Sequence, residues 1–261
     1  MTTVNAGRAN DHRFQTHKTA TLLKPSNADM NKPTPRCTTC RIKNKSLLHN
    51  CQPDLLEELS DSKLIQSFKK GERLITEGEE ARAVYCVRSG VAKAEMHDSQ
   101  DKTLLLRLEG EGSILGYRVS GKKDKQPLTL TAVENMQVCR IPIEQFRGMT
   151  AKSQALRSEI MKHLLAEVHE AESRALTLAC HSVKERVAGA LLHIATLYQY
   201  QQNGCSIHVH LNRQDMAELA GTTKEQVSAV LADLRKERLV LFKAKHFKFF
   251  DLPGLKQLAK V

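Results

Sequence analysis

The chain has no tryptophan and few other aromatics, which make up 4% of its 261 residues. That scarcity argues against a surface that holds single-stranded nucleic acid by stacking bases on rings. No window approaches the ~18 consecutive apolar residues of a membrane span, and the first residues lack the apolar core of a secretory signal, so a cytoplasmic protein without a membrane partner is expected. There is also no Gly-rich nucleotide loop and no paired acid/base constellation, and no enzyme is expected.

What the chain does have is positive charge. Lys and Arg number 40 against 29 Asp and Glu, and the excess sits at the two ends: residues 1–50 carry +7 and residues 181–261 carry +5. A basic C-terminal domain suits a polyanionic partner, the alternative being a merely solvated basic face. The length allows two modest domains. Residues 1–36 are polar and punctuated by Pro25, Pro33 and Pro35, and are expected to form a disordered tail.

Between Phe68 and Ile143, short β-type runs (Ala83–Val87, Leu104–Leu108, Gln137–Ile141) alternate with glycines at Gly71, Gly78, Gly90, Gly110, Gly112 and Gly116. This density of Gly turns predicts an antiparallel sandwich or barrel. Met161, Leu164, Leu165, Val168, Ala171, Ala175 and Leu178 then recur at spacings of three and four. They predict a long amphipathic helix over about 151–180, whose stripe is buried either against the same helix of a second subunit or within the chain.

The stretch from Leu211 to Leu234 predicts two helices joined by a tight turn. Asn212 caps the first helix, Gly221 breaks the chain, and Thr222 or Thr223 caps the second with Glu225 or Gln226 three residues on. Val227, Val230, Leu231 and Leu234 then face inward, which leaves Lys224, Glu225, Ser228, Ala229 and Ala232 on the outer face. Arg235, Lys236 and Arg238 follow, and Leu239–Phe250 with Lys243, Lys245 and Lys248 reads as a basic β-hairpin wing. Residues 181–261 therefore look like a winged helix-turn-helix for double-stranded DNA. Arg213, Lys224, Arg235, Lys243 and Lys245 are candidates for phosphate contacts, and Glu225 and Ser228 for base edges.

Seven cysteines in a reducing compartment argue for metal binding, redox sensing or simple burial rather than a disulfide framework. Cys37 and Cys40 are spaced to reach one metal or cluster, with Cys51 eleven residues on. Cys86, Cys180 and Cys205 lack partners at ligand spacing and are expected to be structural.

In its order of elements the chain resembles the CRP/FNR family of bacterial transcription regulators, over roughly Leu55 to Leu258. The telling stretches are Tyr85–Lys93, Met136–Pro142, Val183–Val187 and Gly221–Ser228. The resemblance implies an α+β protein: a cyclic-nucleotide-binding-type antiparallel β-roll over 55–150, a dimerisation helix over 151–180 and a winged helix-turn-helix over 181–261. It also implies a homodimer on a palindromic operator, acting on RNA polymerase. Glu225 falls where the family reads a cytosine and Ser228 matches the FNR branch, but Ala229 stands where an arginine usually grips a guanine.

Cyclic nucleotide is not expected as the effector. Tyr117 stands where the family's phosphate cassette has a glutamate, and Gln126 and Pro127 replace its arginine and serine, leaving Arg118 as a nearby cation. The FNR branch, to which the chain is most similar, holds an oxygen-labile [4Fe–4S] cluster on three N-terminal cysteines and one on the β-roll. Carried over, the ligands are Cys37, Cys40 and Cys51 in a sensor segment over 37–54, and Cys139 in its Met–x–Cys–x–Ile–Pro context. Arg36, Arg41, Lys43 and Lys45 would partly offset the cluster's negative charge. The alternatives are a regulator of the same fold sensing haem, zinc or thiol oxidation, an iron–sulfur electron carrier or enzyme, and an effector-free architectural protein.

Overall fold

The computed structural model describes residues 35–99, 103–119, 124–201 and 206–260. The tail expected over 1–36 lies outside them except for Pro35 and Arg36, and Cys205 also lies outside.

A chain of short turns around the 3-10 segment Lys43–Lys45 leads into α1 (Pro53–Ser62). Pro53 opens this helix at a position that needs no backbone donor, and Leu55, Leu56 and Leu59 form its buried face. Eight strands follow: β1 (Leu64–Phe68), β2 (Arg73–Ile75), β3 (Ala83–Ser89), β4 (Ala92–His97), β5 (Thr103–Glu109), β6 (Ile114–Leu115), β7 (Thr129–Ala132) and β8 (Met136–Pro142). They form two antiparallel four-stranded sheets, ordered β1-β8-β3-β6 and β2-β7-β4-β5.

The two-residue alternation of strand side chains sorts the core into two layers. Val87, Met136 and Val138 face the interior between the sheets, with Leu74, Leu115 and Leu130. Their neighbours Val84, Cys86, Cys139 and Ile141 face the other way, into a layer closed by Leu56 and Leu59 of α1 and by Ile42 and Leu48 of the preceding segment.

Two helices leave the roll, α2 (Ile143–Lys152) and α3 (Gln154–Cys180). Residues 151 and 152, expected at the start of the long helix, close α2 instead. Ser153 separates the two helices and caps α3 by accepting from the Leu156 backbone N–H. Met161, Leu165 and Val168 are each more than half exposed, as is Leu176, which lies outside the predicted stripe. Ala171 and Ala175 are exposed too, whereas Leu164 and Leu178 are half-buried. Among the described residues no helix is long and apolar enough to cross a membrane.

The C-terminal part comprises α4 (Val183–Leu197), β9 (Ile207–His208), α5 (Arg213–Ala220), α6 (Lys224–Lys236), β10 (Val240–Lys243), β11 (His246–Phe249) and α7 (Leu252–Ala259). Its core of Leu191, Ile194, Leu231, Leu234 and Phe247 is continuous with Val91, Leu105, Leu108 and Val133 of the roll. A partly buried ion pair crosses the same boundary: Lys93 Nζ of β4 lies 2.8 Å from Asp215 Oδ1 of α5. Arg174 of α3 donates to the carbonyls of Leu106 and Glu218 and so ties roll and helix pair together.

Gly221, between α5 and α6, has φ +61° and sits against Leu178 of α3, where a Cβ would collide with the leucine side chain. Gly221→Ala adds both left-handed strain and that clash. It is expected to lower stability by about 1–3 kcal/mol in urea unfolding, and an unchanged midpoint would contradict this packing.

Candidate metal centre and nucleic-acid interface

Cys37, Cys40, Cys86 and Cys139 line one cavity of about 370 Å³, mouth included, on the outer face of the β1-β8-β3-β6 sheet. Cys86 and Cys139 are direct cross-strand partners in the β3–β8 pairing. Cys37 is fixed from α1, where its backbone N–H donates to Ser60 Oγ at 2.8 Å. Cys51 is 6% exposed and packs in the same apolar layer, but it is not on the cavity wall. The structure therefore brings three of the four expected cysteines together, with Cys86, which linear spacing set aside as structural, in the remaining place. The signal that finds Cys86 is the strand register, which is long-range.

Lys63, at the end of α1, also lines the cavity and is 3% exposed. Its Nζ donates to the Pro35 carbonyl at 2.6 Å and to Cys37 Sγ at 2.9 Å. A buried ammonium needs negative charge nearby, and a thiolate or an anionic sulfur cluster supplies it. Burial pushes the Cys86 and Cys139 thiols up, and Cys37 and Cys40 push them in the same direction while Lys63 opposes. Burial also raises Cys51, with Lys43 as the opposing charge.

Among the described residues no three His, Cys, Asp or Glu side chains stand close enough to hold a single metal ion. A polynuclear cluster is wider than one ion, and an all-sulfur donor set beside a buried cation is chemistry that fits iron–sulfur ligation.

The basic residues expected around the thiols have other partners. Arg36 pairs with Glu57 and Asp61, while Arg41 and Lys45 pair with Glu111 of the β5–β6 loop. Lys43 does line the cavity. These contacts hold the cysteine segment against the roll, and the backbone of Lys45 lies so close to Gly112 that a side chain there would not fit.

In the helix pair, Asn212 and Asp215 form a reciprocal capping box on α5, and Thr223 caps α6 by accepting from the Gln226 N–H. Val227, Leu231 and Leu234 are fully buried. That fixes the rotation of α6 and leaves Lys224, Glu225, Ser228, Ala229 and Arg235 exposed. Ser228 Oγ is turned back onto the Lys224 carbonyl at 2.8 Å. Hydrogen bonding to the backbone and to Thr223 at the start of α6 holds the Glu225 carboxyl below its ordinary range. Lys243 and Lys245 are exposed on the β10–β11 hairpin. Arg213 is half-buried, its guanidinium 4.9 Å from the Phe242 ring centroid, so it ties α5 to the hairpin.

Two family models match the chain: a cyclic nucleotide-binding domain over residues 65–153 and a Crp-like helix-turn-helix domain over residues 185–258. Together they span both halves of the geometry described above. The chain belongs to the CRP/FNR family. Among its relatives, the fumarate and nitrate reduction regulatory protein of Vibrio cholerae serotype O1 is 26% identical over 232 residues, covering 86% of this chain and 90% of the relative. The Escherichia coli K12 protein of the same name is 24% identical over 229 residues, covering 85% and 90%. In fold the chain is similar to FixK2 from Bradyrhizobium japonicum, with TM-score 0.68 and 21% identity over 75% of this chain and 96% of that one. It is also similar to the c-di-GMP responsive regulator CLP of Xanthomonas campestris, with TM-score 0.63, 18% identity and coverage of 77% and 100%. This CRP/FNR protein is a DNA-binding transcription regulator and not an enzyme.

In this CRP/FNR regulator the pocket beside Tyr117, Arg118, Gln126 and Pro127 is lined also by Arg107. Both arginines are already engaged: Glu167 of α3 reaches Arg107 at 3.1 Å and pairs with Arg118. His163, one turn earlier on α3, lies 3.4 Å from the same carboxylate.

Burial pushes Glu167 up, but His163, Arg107 and Arg118 outweigh it and hold the carboxyl below its ordinary range. The hydrogen bond to Glu167 raises His163 above its ordinary value. The His163 contribution to stability is therefore complete below its unfolded value of about 6.5 and is lost as pH rises through its higher folded value. His163→Gln should melt below wild type near pH 6, with the gap closing as pH rises through the raised folded value. A gap that widens with rising pH would contradict the pairing.

Proposed function

We propose that this regulator binds a palindromic operator as a homodimer and that a [4Fe–4S] cluster, held by Cys37, Cys40 and Cys139 with a fourth thiolate, sets its affinity for DNA. The observation that carries the reading is the gathering of thiols from the N-terminal segment and from β3 and β8 around one cavity, beside a buried lysine that has no carboxylate partner among the described residues. The FNR name of its relatives supports the same reading. When bound, such a cluster supplies an oxidant-sensitive crosslink between segment and roll.

The protein's own residues do the rest. Cys37 and Cys40 fasten the segment, Arg41 and Lys45 hold it on Glu111, and Glu167, Arg107 and Arg118 join the roll to α3. The exposed Met161, Leu165 and Val168 suit a seam with a second α3, which would set two recognition helices about 34 Å apart along the DNA. Cyclic nucleotide is disfavoured as effector, because Glu167 already occupies the arginines that a phosphate would need. The family's partner, RNA polymerase, is expected to meet the bound dimer in the cytoplasm.

Anaerobic protein should contain iron and acid-labile sulfide, and Cys139→Ala should lose both together with operator binding. Absence of sulfide from the wild type would instead favour haem, zinc or thiol oxidation, the last of which the Cys86–Cys139 pairing would suit.

On DNA, Lys243→Ala and Lys245→Ala should each reduce the slope of log K against log salt by about 0.9 without changing sequence preference. Glu225→Ala should relax preference at one base pair of each half-site, a loss of about 1–3 kcal/mol of discrimination. Equal salt slopes in the lysine variants and wild type would remove the wing from the interface. A Leu165→Glu variant is expected to sediment as a monomer and to lose operator binding.

A further inference from the structure

We infer that Cys86 is the fourth thiolate of the iron–sulfur site, in place of Cys51; the inference rests on the cluster reading above. Cys86 on β3 stands directly opposite Cys139 on β8. Residues paired across an antiparallel ladder lie on one face of the sheet with Cα atoms about 4.5–5.5 Å apart, so a group bound by one is within reach of the other. Both thiols face the cavity that Cys37 and Cys40 enter from the N-terminal segment. The set is two thiols from the N-terminal segment and two from the sheet, all lining one cavity.

Cys51 packs in the same apolar layer but does not line that cavity. Successive turns, Lys43 N–H to the Cys40 carbonyl, His49 N–H to the Ser46 carbonyl and Cys51 N–H to the Leu48 carbonyl, lead from Cys40 to the start of α1. Ile42 and Leu48, 3% and 5% exposed, pin those turns to the core. The residues lining the cavity thus supply four thiols without Cys51.

Lys63 is the independent sign of an anionic occupant, since among the described residues its buried ammonium meets the Pro35 carbonyl and Cys37 Sγ and no carboxylate. On ligation each of the four thiols exchanges its proton for a bond to iron. Four protons leave, and the [4Fe–4S]²⁺ core with its thiolates carries about −2, which Lys63 partly balances.

The test is anaerobic reconstitution of full-length wild type, Cys86→Ala and Cys51→Ala with ferrous iron and sulfide, reading iron and acid-labile sulfide per chain. Wild type and Cys51→Ala should each reach roughly four of both, and Cys86→Ala less than half of that. Apo Cys86→Ala should still unfold in one cooperative transition, at a midpoint somewhat below apo wild type for the lost packing, so that the loss of iron and sulfide reports ligation and not misfolding. Should it fail to fold, Cys86→Ser, whose oxygen is a poorer iron ligand, should lose its visible absorbance in air several-fold faster than wild type. Full loading of Cys86→Ala with loss in Cys51→Ala, or an unchanged lifetime in Cys86→Ser, overturns the assignment alone. A wild type that takes up no iron or sulfide overturns the cluster reading and this inference with it.

Discussion

Lys63 carries an ammonium to the wall of a cavity lined by four cysteines, where it is 3% exposed and meets a carbonyl and the sulfur of Cys37. It is almost fully buried and no carboxylate among the described residues answers it, so the charge balance of this half depends on what the thiols carry. Four neutral thiols leave the ammonium poorly compensated. Thiolates bound to a metal–sulfur core compensate it well, and that difference is free energy available for holding the Arg36–Gln52 segment against the roll. The same segment is fastened at its far side by Arg41 and Lys45 on Glu111, exposed or half-exposed pairs that are weak alone and serve to set position.

From the roll, three contacts lead to the DNA-reading helices. Arg107 and Arg118 grip Glu167 of α3, Arg174 of α3 bonds to carbonyls of both β5 and α5, and Lys93 of β4 meets Asp215 of α5. Asp215 is also half of the capping box that starts α5, so the ion pair acts on the helix that positions α6. The position of α3 and the orientation of the helix pair are thereby coupled through buried, hydrogen-bonded charges, which tolerate discrete rearrangements better than gradual ones.

Much of this was legible in the sequence where the determining forces are local. Asn212, Gly221 and Thr223 cap and break helices through backbone groups within a few residues, and the predicted strands at Ala83–Val87, Leu104–Leu108 and Gln137–Ile141 lie within β3, β5 and β8. Long-range features were not. Cys86 joins Cys139 through strand register, Lys63 reaches the thiols because α1 folds over the sheet, and the stripe on α3 is split because Leu178 turns to meet Gly221. Arg213 has the charge of a phosphate contact but the neighbours of a packing residue, since Phe242 lies twenty-nine positions away in the chain.

If thiol occupancy is coupled to the packing of α3, amide hydrogen exchange on the full-length protein reports it. Cluster-loaded protein kept anaerobic is compared with the same sample after exposure to air. With coupling, protection of residues 37–51 falls on exposure and protection along 161–176 of α3 falls with it. Loss of protection confined to residues 37–51, with α3 unchanged, would contradict it.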